Sequence, residues 1–212
     1  MASTPHAATA GEAGRARRPL KQERAHRTRG AILDAAAEVF AAKGFAAVTL
    51  QEVAERAEVT KGALYFHFAN KEALALELVR NYQSRWPPLI EAAEAAGLTP
   101  LATLVEILDR AAETFRTEVP VQAAARLQIE RSLIHADLPT PYRGWIEAMT
   151  SLASRAAAHG ELKPGVDPAA AARVIVASFF GMQHVSDVLT GRADQLERYE
   201  ELREVLLDGI RR

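Results

Sequence analysis

An all-α fold is predicted for this chain by three observations. Apolar residues recur at intervals of three and four, no segment alternates convincingly between apolar and polar residues, and N-cap signals stand ahead of the periodic stretches. With 49% hydrophobic residues in a chain of 212, there is enough apolar surface for a substantial core. No apolar run approaches the roughly 18 residues a membrane span needs, so no membrane role is expected. The absence of cysteine excludes disulfides and thiolate metal sites and suits a reducing cytoplasm.

The elements follow in order. Residues 1–21 are Ala, Gly, Ser, Thr, Pro and Arg without periodicity and are expected to form a disordered basic arm. Order is expected to begin near Gln22, where Ile32, Leu33, Ala36, Val39 and Phe40 mark a first helix stopped by Gly44. Thr49, three residues before Glu52, forms a capping box for a short second helix ending near Ala57. Thr60 caps a third, through Tyr65 or Phe66, and Asn70 a fourth that runs past Tyr82 and Trp86 until Pro87 and Pro88 stop it. Further on, Thr99-Pro100 and Asp167-Pro168 each place proline at the first helical position. Between them lie helices marked by Leu101 to Phe115, Val121 to Leu133 and Tyr142 to His159. The segment from Pro168 to about Leu189 is apolar around most of its circumference, as in a helix buried on more than one side, and a last helix spans Gln195 to Ile210.

Charge is unevenly spread although the net value is −1: residues 1–71 carry 11 bases against 7 acids, the remainder 15 against 20. A solvated tail explains the basic arm as well as an anion-binding one does. The two short helices at 49–57 and 60–66, joined by Glu58 and Val59, are more specific, because they match a helix-turn-helix whose second helix enters the DNA major groove. Thr60 and Lys61 supply polar groups at its start, Gly62 removes a side chain where backbones approach, and Tyr65, His67 and Lys71 are placed to meet phosphates. Free amides near Thr49 and Asn70 are further phosphate sites. Equally, Gly62 is readable as a packing glycine, and Tyr65 and His67 as plain surface residues. Phe66 and Phe68 are assigned to the core, since phenylalanine offers bases no polar specificity.

The block TLQEVAERAEVTKGALYFHFANKEAL closely resembles the signature of TetR-family transcriptional regulators, and VTKGALYFHF followed by KE resembles the γ-butyrolactone-type receptors within it. The stretches NYQSRWP, AAARLQIER, PTPYRGW and FFGMQHVSD extend the likeness, to receptors of furan signals among them, over roughly residues 22–210. The resemblance implies a homodimer. Each subunit would have a helix-turn-helix DNA-binding domain at 22–71 and a ligand-binding and dimerisation domain at 72–212, with the two heads about 34 Å apart on a pseudo-palindromic operator. Carried over by position, Thr49, Thr60, Lys61, Tyr65, His67 and Lys71 are the implied DNA contacts, beside Gly62, with the arm around Lys21, Arg24 and Arg27 reaching backbone or minor groove.

Tyr82, Trp86, Gln128, Tyr142 and Trp145 are the candidate ligand-binding residues. Polar and aromatic side chains at helix positions that turn inward suit a mostly apolar pocket, and family position favours Tyr82, Gln128 and Tyr142. Trp86 and Trp145 are equally readable as core. Arg126 or Arg131 is placed either to pair a carboxylate head or to form a structural ion pair. The implied ligand is a small diffusible signal of the butyrolactone, butenolide or alkyl-furan class, with helix four as the lever to the DNA. Phe179, Phe180 and His184, with Leu202, Val205 and Leu206 of the last helix, resemble the family's four-helix dimer interface. His184 has no second ligand at metal-binding spacing, and no metal or cofactor is expected.

Three readings compete. An enzyme lacks a nucleophile elbow, phosphate loop or paired-carboxylate site. A helical adaptor leaves Thr60, Lys61 and Tyr65 unexplained. A repressor answering to an antibiotic, or to no hormone, keeps the DNA-binding residues, and Tyr82, Gln128 and Tyr142 argue against it only moderately.

Overall fold

The computed structural model describes residues 10–212, with side chains from residue 22 onward. Residues 1–9 of the expected arm therefore lie outside the described residues. Ten α-helices follow: α1 (Ala10–Ala47), α2 (Leu50–Arg56), α3 (Lys61–His67), α4 (Lys71–Gln83), α5 (Trp86–Glu94), α6 (Pro100–Thr117), α7 (Val119–Ile129), α8 (Arg143–Ala158), α9 (Pro168–Thr190) and α10 (Gln195–Ile210). A 3-10 turn at Arg131–Leu133 follows α7, and one isolated bridge joins Leu162 to Arg211. No described helix is long and apolar enough to cross a membrane.

Most boundaries follow from local chemistry. The side chains of Thr49, Thr60, Asn70 and Thr99 accept from backbone N–H groups three residues on, and Asp167 accepts from Ala169 and Ala170. Such a cap is worth about 1 kcal/mol. Gly44 interrupts α1 with φ 76°, the left-handed conformation that favours glycine.

Two expectations fail here. Helix α1 starts at Ala10, not Gln22, because an Ala- and Arg-rich stretch has high helix propensity without any apolar stripe. Pro87 and Pro88 do not end a helix. Helix α4 stops at Gln83, and the prolines occupy the first turn of α5, where a missing N–H costs nothing, so Trp86 belongs to α5 and not α4.

Two apolar cores result. The first gathers Ile32, Phe40, Val53, Leu64, Phe68 and Leu74 from α1–α4 and also takes in Ala123 and Leu127 of α7. The second is built from α5–α10 around Phe115, Met149, Ile175 and Phe179, and receives Val121 and Ala124 from another face of α7. Helix α7 is thus a wall shared by both cores. Phe179 is 1% exposed and stacks among Phe115, Trp145 and Tyr199, so a partner subunit cannot reach it. Its assignment to a dimer surface is corrected to the core. Val174, Val185, Val188 and Leu189 of α9 and Leu196 and Val205 of α10 are exposed, while Leu202 and Leu206 are half-buried against the second core.

Candidate functional site

The head is built from contiguous sequence. Glu58, with φ 54°, makes the tight link from α2 to α3, and the Val59 N–H donates to the Ala54 carbonyl at 3.0 Å. Leu64 is fully buried and anchors α3, leaving Thr60, Lys61, Gly62, Tyr65 and Phe66 on the outside. Nothing lies within 4 Å of where a Cβ on Gly62 would stand, so that edge of α3 is open to a neighbour. Lys43 and Arg56 are neutralised by Glu52 and Glu38, whereas the Lys61 ammonium lies 6.0 Å from the centre of the Tyr65 ring. Arg24 is exposed, and Arg27 is held only by an exposed pair with Glu23 at 2.7 Å. Such a pair is worth little and yields readily to a phosphate.

Two residues sit differently from their sequence assignments. Phe66 is 79% exposed and not core; its ring meets His67 edge-on at 5.1 Å. In a two-turn helix only one face can be buried, and Leu64 takes it. Lys71, expected at the DNA, turns inward. Its ammonium donates to the carbonyls of Phe45 (2.8 Å) and Val48 (3.0 Å) and lies 4.3 Å from the Phe45 ring centre. It closes the chain after α1 with two of its three N–H donors.

The second candidate site is a cavity of about 570 Å³. All five sequence-derived ligand residues, Tyr82, Trp86, Gln128, Tyr142 and Trp145, line it, arriving from α4, α5, α7 and the start of α8. Trp86 and Trp145 meet at 4.9 Å, and Trp86 stacks on Phe115 at 6.0 Å. Tyr142 is held at φ 64°, a conformation unfavourable for a bulky side chain and found where surrounding structure imposes it. Burial pushes the Tyr82 hydroxyl well above the ordinary phenol range. The nearby Tyr142 adds to this, and the Trp86 indole, close but outside hydrogen-bonding geometry, opposes it. Burial likewise raises Tyr142. Both hydroxyls therefore remain protonated donors at neutral pH.

The polar atoms of the wall are the unusual feature. Both amide atoms of Gln128 and of Gln183, the indole nitrogens of Trp86 and Trp145, and Nη1 of Arg192 are buried without a hydrogen-bond partner. Buried polar groups are ordinarily paired, and leaving one unpaired costs about 1–3 kcal/mol. These groups converge on one cavity, where a ligand or ordered water can pair them.

Phe180, Gln183, His184, Asp187 and Arg192 also line the cavity. Phe180 and His184 had been placed at the dimer interface; the helical twist of α9 turns Phe180 onto Tyr142 (4.6 Å) and Trp145 (5.8 Å) instead. Sequence reasoning left Gln183 on the helix that resembles the dimer helix and missed Arg192 altogether. A glutamine inside the apolar run FFGMQHV was a usable signal; Arg192 offered none.

Cavity and head meet through α7. The Arg126 guanidinium donates to the Ala41 (2.9 Å) and Ala42 (3.2 Å) carbonyls at the end of α1 and to Glu130 (3.1 Å), while Glu130 accepts from the Phe45 N–H at 2.5 Å. Cationic Arg126 thus satisfies orphan carbonyls at the negative end of α1. A Cβ on Gly44 would fall inside the Glu130 carboxylate. Arg126 and Gln128 also line the cavity, so this latch and the ligand site share one helix.

Residues 32–78 match the family of bacterial regulatory proteins described as tetR, and residues 100–211 match the tetracyclin repressor-like C-terminal domain. The A-factor receptor protein of Streptomyces griseus is 37% identical over 190 residues, covering 90% of this chain and 66% of that protein, so the chain spans just under two thirds of its length. A solved structure described as the molecular basis for control of antibiotic production by bacterial hormones is 50% identical, with TM-score 0.80 over 87% of this chain and 98% of its own. A solved γ-butyrolactone receptor, ArpA-like, is 29% identical, with TM-score 0.78 over 89% and 90%.

Proposed function

The chain belongs to the tetR family of bacterial regulatory proteins, and on that footing we propose that it is a cytoplasmic, homodimeric transcriptional repressor released from its operator by a small diffusible signal. The relatives it matches are regulators and not enzymes. Thr60, Lys61, Gly62 and Tyr65 of α3 enter the major groove, and exposed Arg24 and Arg27 approach the backbone. The signal is of the butyrolactone, butenolide or alkyl-furan type, and antibiotic or other secondary-metabolite genes are its targets. Support for the class comes from the hormone and butyrolactone receptors the chain resembles, and from a cavity that matches an alkyl tail with aromatic walls and a polar head with unmet donors. The outer faces of α9 and α10, with Val185, Val188, Leu189 and Val205, form the dimer interface.

One observation carries the mechanism: α7 bears cavity-lining Gln128 and the Arg126–Glu130 latch on α1 within a single turn. Helix α4 was the expected lever, and Tyr82 gives it a cavity contact, but α7 has hydrogen bonds to the head as well as packing. A ligand that fits best when α7 has shifted weakens the latch and changes the spacing of the two heads. To move the dimer from 99% operator-competent to 1%, the ligand must prefer the shifted state by about 5.5 kcal/mol. The test is to challenge a protein–operator complex with alkyl butyrolactones, butenolides and furans of matched chain length. Dissociation by at least one of these classes is expected; operator binding indifferent to all of them removes the signal-receptor reading.

A further inference from the structure

Resting on the reading of α3 as the helix that enters the major groove, we propose that Phe66 reads the operator through the C5-methyl group of a thymine. Of the seven phenylalanines in the chain, five are buried, Phe180 is half-buried, and Phe66 alone is exposed, at 79%. The fold leaves this ring in water and so forgoes the stabilisation that burial gives the others. A single exposed apolar residue is ordinary on a protein surface. This one, however, stands on the seven-residue helix whose other outward groups, Lys61, Gly62 and Tyr65, address DNA.

Phe66 stands four residues after Gly62 and so shares its face of α3, beside the row formed by Lys61 and Tyr65. Side chains on a helix lean toward its N-terminus, so the ring is carried from near the end of α3 back toward the turns where base edges are read. Gly62 bears no side chain, and the space where its Cβ would stand is free for at least 4 Å. The ring and the bare backbone of Gly62 therefore flank a notch with room for one methyl carbon at its contact distance of about 3.5–4.0 Å. The ring also meets His67 edge-on, with 5.1 Å between centroids and 85° between planes, which limits its rotation.

The base edges in the major groove present hydrogen-bond donors, acceptors and a single apolar group, the thymine C5-methyl. The exposed side chains of α3 are those of Lys61, Tyr65 and Phe66, and of these Phe66 alone is wholly apolar. The helix has no acidic residue, with Lys61 at its start and His67 at its end, a setting that favours a polyanion over a second apolar protein surface. Methyl and ring each leave water on contact, so the pairing is favourable without any hydrogen bond. A ring packed on the deoxyribose wall instead would weaken or strengthen binding alike on every sequence, because that wall carries no sequence information.

The experiment uses the full-length protein and a duplex that it selects from a pool of random sequence. Each thymine of one half-site is replaced singly by deoxyuridine, which removes only the methyl group. Anisotropy is expected to show one position at which the wild type binds about fourfold more weakly, and about 15-fold when the matching thymine of the second half-site is replaced as well. Phe66→Ala should bind the selected duplex at least about tenfold more weakly. It should also bind the thymine and deoxyuridine duplexes equally at that position, and keep the wild-type Tm, since the ring supports no core. Phe66→Leu, which keeps an apolar side chain, should retain part of the preference. A wild type indifferent to every deoxyuridine overturns the proposal, and so does a Phe66→Ala protein that keeps either wild-type affinity or the thymine preference. Equal weakening of Phe66→Ala on selected and unrelated duplexes also overturns it, by placing the ring on the deoxyribose wall. Each of these results leaves α3 as the reading helix, whereas a wild type that selects no sequence removes that reading too.

Discussion

The head and the cavity solve opposite problems with the same residue types. In the head, polar side chains are satisfied locally: Thr49, Thr60 and Asn70 each accept a backbone N–H three residues on, and what remains exposed faces solvent. In the cavity, polar side chains from four helices and the turn after α9 converge without meeting one another, and their atoms stay buried and unpaired. A surface that reads DNA loses little by waiting in water. A cavity lined by such groups favours whatever pairs them, and that pairing shifts an equilibrium between states only so far as it differs between the two.

The largest expected effect breaks the head alone. Lys61→Ala or Tyr65→Ala removes one phosphate or base contact per head, about 1–3 kcal/mol each, and the loss occurs twice in a dimer. Operator affinity should fall at least about 30-fold by anisotropy, while signal binding followed by tryptophan fluorescence stays at the wild-type value. Wild-type operator affinity in both variants would remove α3 from the DNA interface.

Next in size is the junction. Gly44→Ala forces a side chain into left-handed backbone, costing about 1–2 kcal/mol, and displaces the Glu130 carboxylate from the Phe45 N–H. The expected result is a lower Tm together with a changed ligand concentration for operator release. A loss of Tm with unaltered release would make the latch structural only and return the lever to α4.

The sharpest test of the comparison pairs two polar-to-apolar changes. Thr60→Ala removes a cap and should destabilise by about 1 kcal/mol. Gln128→Leu removes an amide with no partner, and should raise stability by about 0.5–1 kcal/mol while ligand binding is lost. Chemical denaturation of the ligand-free proteins checks both signs. If Gln128→Leu destabilises as Thr60→Ala does, the amide has a partner in solution, such as ordered water.

The same contrast explains what was legible in the sequence. Caps, proline-first starts and the helix-turn-helix depend on residues within about four positions, so Thr49, Thr60, Thr99 and Asp167 could be read directly. The exposure of Phe66, the inward turn of Lys71 onto Phe45 and Val48, and the burial of Phe179 depend on partners elsewhere in the fold, or on which face of a short helix a single leucine claims. Tyr82, Gln128 and Tyr142 were found because they are polar or aromatic where core would suffice. Gln183 obeyed the same rule but sat in a run already assigned to packing. Arg192 reaches the cavity only because two successive residues take left-handed backbone, a property of the turn after α9 that its sequence does not announce.

The smallest expected effect lies on α9 itself, where the contrast recurs across one helix end. Along the helix from the unpaired Gln183, Ser186 and Thr190 both donate to Asp194, at 2.6 and 2.7 Å, and Arg198 pairs with its other oxygen at 2.5 Å. The Ser186 hydroxyl first, then Thr190, with Arg198 adding, lowers the Asp194 carboxyl from 3.8 to about 2. A carboxyl lowered on folding stabilises the native state at pH values above its unfolded pKa, and that contribution is lost as pH falls through the folded value. The clip between α9 and α10 should therefore hold throughout the neutral range and weaken only between about pH 4 and 2. Asp194→Asn should reduce stability slightly at pH 7, and the gap between variant and wild type should close as pH falls through that window. A gap that persists at pH 2 would mean that the clip works through shape and not charge, and that the end of α9 bearing Arg192 is held by packing alone.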